Sequence, residues 1–133
     1  MNFLGKHFLA EFYDCNRDVL NDETKISGIM TEAVRVSGST IIRPFFHKFS
    51  PHGISGIIVI AESHLAVHTW PEYGFAALDI FSCHDLNYSE TLKYISNNIG
   101  AGRYSIISIK RGVDINSPSD SPAEYPEPEK IYL

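Results

Sequence analysis

Apolar residues recur at helical spacing at Ile26, Ile29, Met30, Ala33 and Val34, with Asp22 and Glu23 ahead of them and Gly38 behind. That pattern predicts an amphipathic helix over about 22–37, opened by acidic residues and closed by glycine. A second, with Leu92, Ile95 and Ile99 on one side, a Ser89 cap and Gly100 beyond, follows later in the chain. Between and around these helices the pattern changes to strand-like runs rich in β-branched and aromatic residues: 8–13, 40–49, 54–70 with a break near Ser63, 75–83 and 104–109. Pro and Gly punctuate the turns Ser50-Pro51-His52-Gly53 and Pro71-Glu72-Tyr73-Gly74, where a hairpin needs fixed or permissive dihedrals. The order β-α-β-β-β-α-β predicts an α+β two-layer sandwich, an antiparallel sheet with helices packed on one face. One domain over 1–113 is expected. From Asp114 the prolines 118, 122, 126 and 128 sit among Ser, Asp and Glu, and 114–133 reads as a mobile or loosely docked tail.

Composition narrows the function. The 133 residues are 44% hydrophobic and 20% charged, an ordinary soluble balance, and no apolar run is long enough to span a membrane. The start lacks the build of a signal peptide, so a cytoplasmic setting is expected, in which Cys15 and Cys83 stay free thiols. A net charge of −5 without a Lys/Arg cluster argues against a nucleic-acid partner.

Register brings chemistry together. If the chain folds back symmetrically about Glu72-Tyr73, Ser63 faces Ser82 and lies beside Cys83. Directly opposed residues are about 4.5–5.5 Å apart, so the pairing alone brings a hydroxyl within reach of a thiol. His68 stands five residues from Ser63, about 16 Å along a straight strand and on the opposite face. A twofold dimer, in which the partner supplies the histidine, closes that gap, and a sharp kink at Ser63 is the local alternative. His64 and His68 share a face about 13 Å apart, too far for one zinc, and no HExxH or paired CxxC motif is present.

The run Ile60-Ala61-Glu62-Ser63-His64-Leu65-Ala66-Val67-His68-Thr69-Trp70-Pro71-Glu72-Tyr73-Gly74 closely resembles the short prokaryotic S-adenosylmethionine decarboxylases. The resemblance extends to Gly5-Lys6-His7, Ala10-Glu11-Phe12-Tyr13, the stretch from Phe46 to Gly56, and Asp79-Ile80-Phe81-Ser82-Cys83. It departs at His84, where a glycine is expected after the cysteine, and from Asn87 onward it holds only in outline.

The resemblance implies a proenzyme that cuts itself between Glu62 and Ser63, into 1–62 and 63–133, and converts Ser63 into a covalent pyruvoyl group. Such a carbonyl forms a Schiff base with a substrate amine and accepts the electrons that decarboxylation leaves behind, the task of pyridoxal phosphate elsewhere. No metal and no pyridoxal phosphate are then expected. By the same resemblance His68 accepts a proton during processing, Ser55 assists it by hydrogen bonding, and Cys83 returns a proton to the substrate carbon. Glu72 binds the ribose hydroxyls, Phe49 and Trp70 sandwich the sulfonium-bearing nucleoside, and Leu65 lines the pocket. The small-molecule substrate is S-adenosylmethionine, and its decarboxylated product is the aminopropyl donor for spermidine. The processed protomers form a homodimer with sites at the interface. Arginine or ornithine decarboxylation on the same scaffold, and a non-processing paralogue that binds a ligand, are the competing readings.

Overall fold

The computed structural model describes residues 3–61, 63–116 and 124–133. Glu62, Pro118 and Pro122, named above for the cleavage point and the tail, lie outside the described residues.

Seven strands form one sheet in the order β2-β3-β4-β5-β1-β6-β7, every neighbouring pair antiparallel. They are β1 (Gly5–Tyr13), β2 (Ile41–Lys48), β3 (Ile54–Ile60), β4 (Ser63–Trp70), β5 (Phe75–Ser82), β6 (Arg103–Arg111) and β7 (Glu129–Ile131). Three helices, α1 (Arg17–Leu20), α2 (Glu23–Ser37) and α3 (Tyr88–Asn98), complete the described secondary structure apart from a 3-10 turn at Pro71–Tyr73.

Helix α2 begins and ends where its sequence dictates. The Asp22 carboxylate accepts a hydrogen bond from the Lys25 amide at 3.0 Å, and Gly38 closes the helix at φ 84°, a left-handed conformation that costs glycine little. Ser89, expected as the cap of α3, lies inside that helix, and Asn87 occupies the capping position without a side-chain bond.

The sandwich has two layers. Ile26, Met30, Ala33 and Val34 of α2, with Leu92 and Ile95 of α3, pack on the sheet face formed by Phe8, Ala10, Phe12, Ile54, Ile58, Leu65, Val67, Leu78 and Ile80. These strand residues recur with period two, which turns the intervening side chains to the opposite face. There Phe45, Ile57 and Val59 are exposed, Phe45 to 65%.

The strand pairing sharpens two expectations, the break near Ser63 and the loosely docked tail. The run 54–70 is a hairpin of two strands, because Ile60 pairs directly with Ser63 and the chain reverses between them. The chain end is also docked: β7 pairs with β6, and the Leu133 amide donates to the Tyr104 hydroxyl at 2.8 Å.

Candidate active site

Strands β4 and β5 take the register expected from the turn at Glu72-Tyr73. Ser63 pairs with Ser82, Leu65 with Ile80 and Trp70 with Phe75. Cys83 follows Ser82 directly, beyond the end of β5, and is a free, exposed thiol. The bend after β5 is held by Ser82, whose hydroxyl donates to the His84 carbonyl and accepts from the His84 amide, both at 3.0 Å. Cys83 and His84 line a cleft of about 130 Å³ with Gly5, Lys6, Phe8 and Ser82. Its floor is close-packed: a Cβ on Gly5 would lie 2.7 Å from the Ser82 carbonyl oxygen.

A second group lies toward the other end of β4. Ser55 pairs with His68 across β3 and β4, and the Ser55 hydroxyl and His68 Nδ1 share a hydrogen bond of 2.7 Å. Together with Phe45, His47, Phe49, Ile57 and Ala66 they line an apolar trough of about 380 Å³ on the uncovered sheet face. His47 meets the Phe49 ring edge-on at 4.6 Å. Gly56 makes this part of the sheet possible, since the Phe46 ring occupies the space where a Cβ would stand, 2.2 Å away.

Glu72 sits in the 3-10 turn, where its own backbone amide and then His52 Nε2, which donates to it at 2.8 Å, hold the carboxyl below its usual range. Trp70 is half-exposed and tilts against Phe75 at 5.5 Å. Leu65 is 2% exposed and belongs to the core beneath the helices.

A single protomer thus brings Ser63 together with Ser82 and Cys83, and Ser55 together with His68 and Phe49, at separate places along one hairpin. His52, the partner of Glu72, was not among the expected site residues; its place in the Ser50-Pro51-His52-Gly53 turn was the available signal. A third group, His7, His64 and Asp79, lies on the uncovered face with His7 Nε2 and Asp79 Oδ2 2.7 Å apart. In the sequence, His64 is weighed only with His68 as a zinc ligand, and His7 stands out only as part of the run Gly5-Lys6-His7. Cys15, the other cysteine, is buried, and burial first, then Asp14, pushes its thiol up to about 11, which makes it inert at neutral pH.

The antiparallel sheet with its helices on one face is the fold of a decarboxylase of solved structure, and the sequence comparisons name the family. The family model described as S-adenosylmethionine decarboxylase matches residues 6–112. The S-adenosylmethionine decarboxylase proenzyme of Syntrophomonas wolfei is 48% identical over 114 residues, 85% of this chain and 90% of that protein. The proenzyme of the same name from Thermotoga maritima is 43% identical over 125 residues, covering 92% and 96%. Among solved structures, the adenosylmethionine decarboxylase of Aquifex aeolicus superposes with a TM-score of 0.79 at 28% identity, over 93% of this chain and all of that one. A Trypanosoma brucei AdoMetDC monomer, 17% identical with a TM-score of 0.62, covers 78% of this chain and 45% of its own and shares the fold. The chain belongs to the S-adenosylmethionine decarboxylase family.

Proposed function

We propose that this chain is a self-processing carboxy-lyase that converts S-adenosylmethionine to its decarboxylated form, the aminopropyl donor for spermidine. The observation that carries the reading is the pairing of Ser63 with Ser82, one residue from the exposed thiol of Cys83, in a chain of this family. The relatives reported above all carry the S-adenosylmethionine decarboxylase name, which favours that substrate over arginine or ornithine.

Processing starts at Ser63. Its hydroxyl attacks the Glu62 carbonyl and exchanges the peptide for an ester. Removal of the Ser63 α-proton expels Glu62 as a carboxylate and leaves dehydroalanine, which tautomerises and takes up one water to release ammonia. The residue left at 63 is a pyruvoyl cap. His68, hydrogen-bonded to Ser55, is the proton acceptor in this sequence. The local residues fit the group: Ser63 ends up on a paired strand, and its neighbours Ser82 and Cys83 carry small polar side chains suited to a carbonyl. When present, the pyruvoyl group supplies the electron sink for decarboxylation. The chain's own residues do the rest. Cys83 gives a proton to the substrate carbon, Glu72 accepts hydrogen bonds from the ribose, and Phe49 and Trp70 offer exposed ring faces to the nucleoside.

Because Ser55 and His68 stand about 16 Å along β4 from Ser63, the complete site draws on two protomers, Ser63 and Cys83 from one, Ser55, His68 and Glu72 from the other. The uncovered sheet face bearing Phe45, Ile57, Val59 and Ala66 is the surface on which a second copy would sit. No described helix is long and apolar enough to cross a membrane, and the proposed setting is the cytoplasm.

The mass of the denatured protein tests the reading. Two fragments meeting between residues 62 and 63, the second lighter by one ammonia than a serine-started peptide, are expected. An intact chain after prolonged incubation overturns self-processing. Assay of the cut protein with S-adenosylmethionine, arginine and ornithine then tests the substrate, and turnover of either amino acid in preference to the nucleoside would overturn it.

A further inference from the structure

A line of side chains crosses four neighbouring strands of the uncovered face at the Ser63 end of the sheet. His64 on β4 and His7 on β1 both pair with Phe81 of β5, one from each side, and both rings lean toward Asp79, two residues along β5. Asp79 Oδ2 lies 2.7 Å from His7 Nε2 and 3.4 Å from His64 Nε2. On β6, Arg111 Nη1 lies 3.1 Å from His7 Nδ1, and its guanidinium stands over the Phe81 ring at 5.1 Å. The chain of contacts therefore runs from His64 to Asp79 to His7 to Arg111.

The donors set its direction. A guanidinium only donates, so His7 Nδ1 accepts and His7 Nε2 carries the ring proton. That proton is given to Asp79, which also accepts from His64 Nε2. The same three ligand atoms, all within 4.8 Å of one another, would otherwise suit a divalent cation. A metal-bound histidine, however, needs a free lone pair on the ligating nitrogen and a proton on the other one, usually given to an acceptor. Arg111 imposes the reverse on His7. The donor set thus makes a hydrogen-bonded relay rather than a cation site.

The relay ends on the residue next to the proposed cleavage point. Ser63 and His64 share a peptide unit, so fixing the His64 ring against β5 fixes the orientation from which the Ser63 hydroxyl must act. Once the chain is cut, residue 63 is a chain end, and chain ends fray unless tied down. The bond from His64 to Asp79 is then the first side-chain anchor inward from that end.

We propose that the His64–Asp79–His7–Arg111 relay is a positioning device that orients Ser63 for self-cleavage and keeps the new end of the chain seated afterwards. The proposal rests on the self-processing reading. Its members are positioning residues, acting through His64 on Ser63. The other ionisable groups of β1 on this face are Glu11, two residues beyond the Leu9–Asp79 pair, whose carboxyl burial pushes up, and Tyr13 at the end of the strand.

The test follows cleavage of purified precursor by denatured mass, with Ser63→Ala as the uncut control. Asp79→Asn and His64→Ala are expected to slow fragment appearance about ten- to a hundredfold, the scale of a small misplacement of reacting groups. His64→Gln, whose amide can still donate to Asp79, is expected to recover most of the rate. A purely structural role would instead slow His64→Gln and His64→Ala alike, and that result overturns the relay, as does wild-type cleavage by Asp79→Asn. Melting curves for each variant separate slow cleavage from unfolding. Where Asp79→Asn does not fold, the Gln/Ala comparison at His64 decides. If the wild-type chain itself stays whole, the self-processing reading falls, and nitrogen chemical shifts of the His7 ring still judge the relay. A proton on Nε2, insensitive to added Zn²⁺, is expected; a proton on Nδ1, or Zn²⁺-induced shifts of both His7 and His64, overturns it.

Discussion

Cys83 is an exposed, unbridged thiol one residue past the partner of Ser63, while Cys15 is buried with its thiol pushed up. The two therefore predict opposite outcomes. Cys83→Ala should still yield both fragments but lose about a hundredfold or more in turnover, as expected for removing a positioned acid; undiminished turnover in the cut variant would remove Cys83 from that role. Asp79 makes a prediction in pH. Burial alone would raise its pKa, but hydrogen bonds from His64 and then His7 more than reverse this, and the carboxyl ends below its ordinary value. A carboxylate depressed in the fold contributes stability that is fully present above its unfolded pKa of about 3.9 and lost as pH falls through the folded value. The gap in unfolding free energy between wild type and Asp79→Asn should thus be widest near neutrality and close below about pH 4. A gap that persists undiminished into acid would contradict the assignment. At this scale the sequence was informative wherever local register decides: the turn at Glu72-Tyr73 was enough to place Ser63 against Ser82. It was silent on Asp79, because His7 reaches that carboxylate only through β1 lying beside β5, a neighbourhood no local pattern encodes.

Among the elements, the short helix α1 is tied to the sheet through a buried hydroxyl, as well as by its Asn21 cap, whose Oδ1 accepts from the Gly53 amide. Thr69 Oγ1 on β4 donates to the Leu20 carbonyl at 2.8 Å and accepts from the Ile54 amide at 2.9 Å, both inside the core. Thr69→Val keeps the shape but strands both backbone groups, and a loss of about 1–3 kcal/mol is expected in urea unfolding. Unchanged stability would mean that water or a shifted backbone satisfies them. Helix α2 was readable because its stripe, its Asp22 cap and its Gly38 terminator agree with one another. Of the β3–β4 hairpin only the break near Ser63 was readable, since Ile54 to Trp70 is one long apolar-rich run with no Pro or Gly between Ile60 and Ser63 to announce a full reversal. Strand β7 escaped for a different reason: a three-residue strand among prolines and acids carries too little periodicity to stand out, and its place is decided by the open edge of β6.

At the scale of the whole molecule, none of the described helices covers one face of the sheet. Ser55 and His68 stand in an apolar trough on that face, apart from Ser63 along β4. If two copies close over it and share their sites, a His68→Ala chain mixed with a Ser63→Ala chain should cut itself within the heterodimer, because the first keeps the serine and the second the histidine. Neither homodimer should do so at the wild-type rate. An uncut chain in verified heterodimers would place the whole site within one protomer.

The position of β1 has a further consequence for a chain cut after residue 62. The amino-terminal piece would contribute β2 and β3 at one edge and β1 deep within the sheet, flanked by β5 and β6 of the carboxy-terminal piece. Read across the sheet, ownership alternates between the two pieces, and α2 of one packs against α3 of the other. The two polypeptides are woven rather than docked. Losing the peptide bond would free no separable half: neither piece alone holds a continuous sheet, so the cut protein should melt in a single transition and stay paired through any purification that leaves it folded.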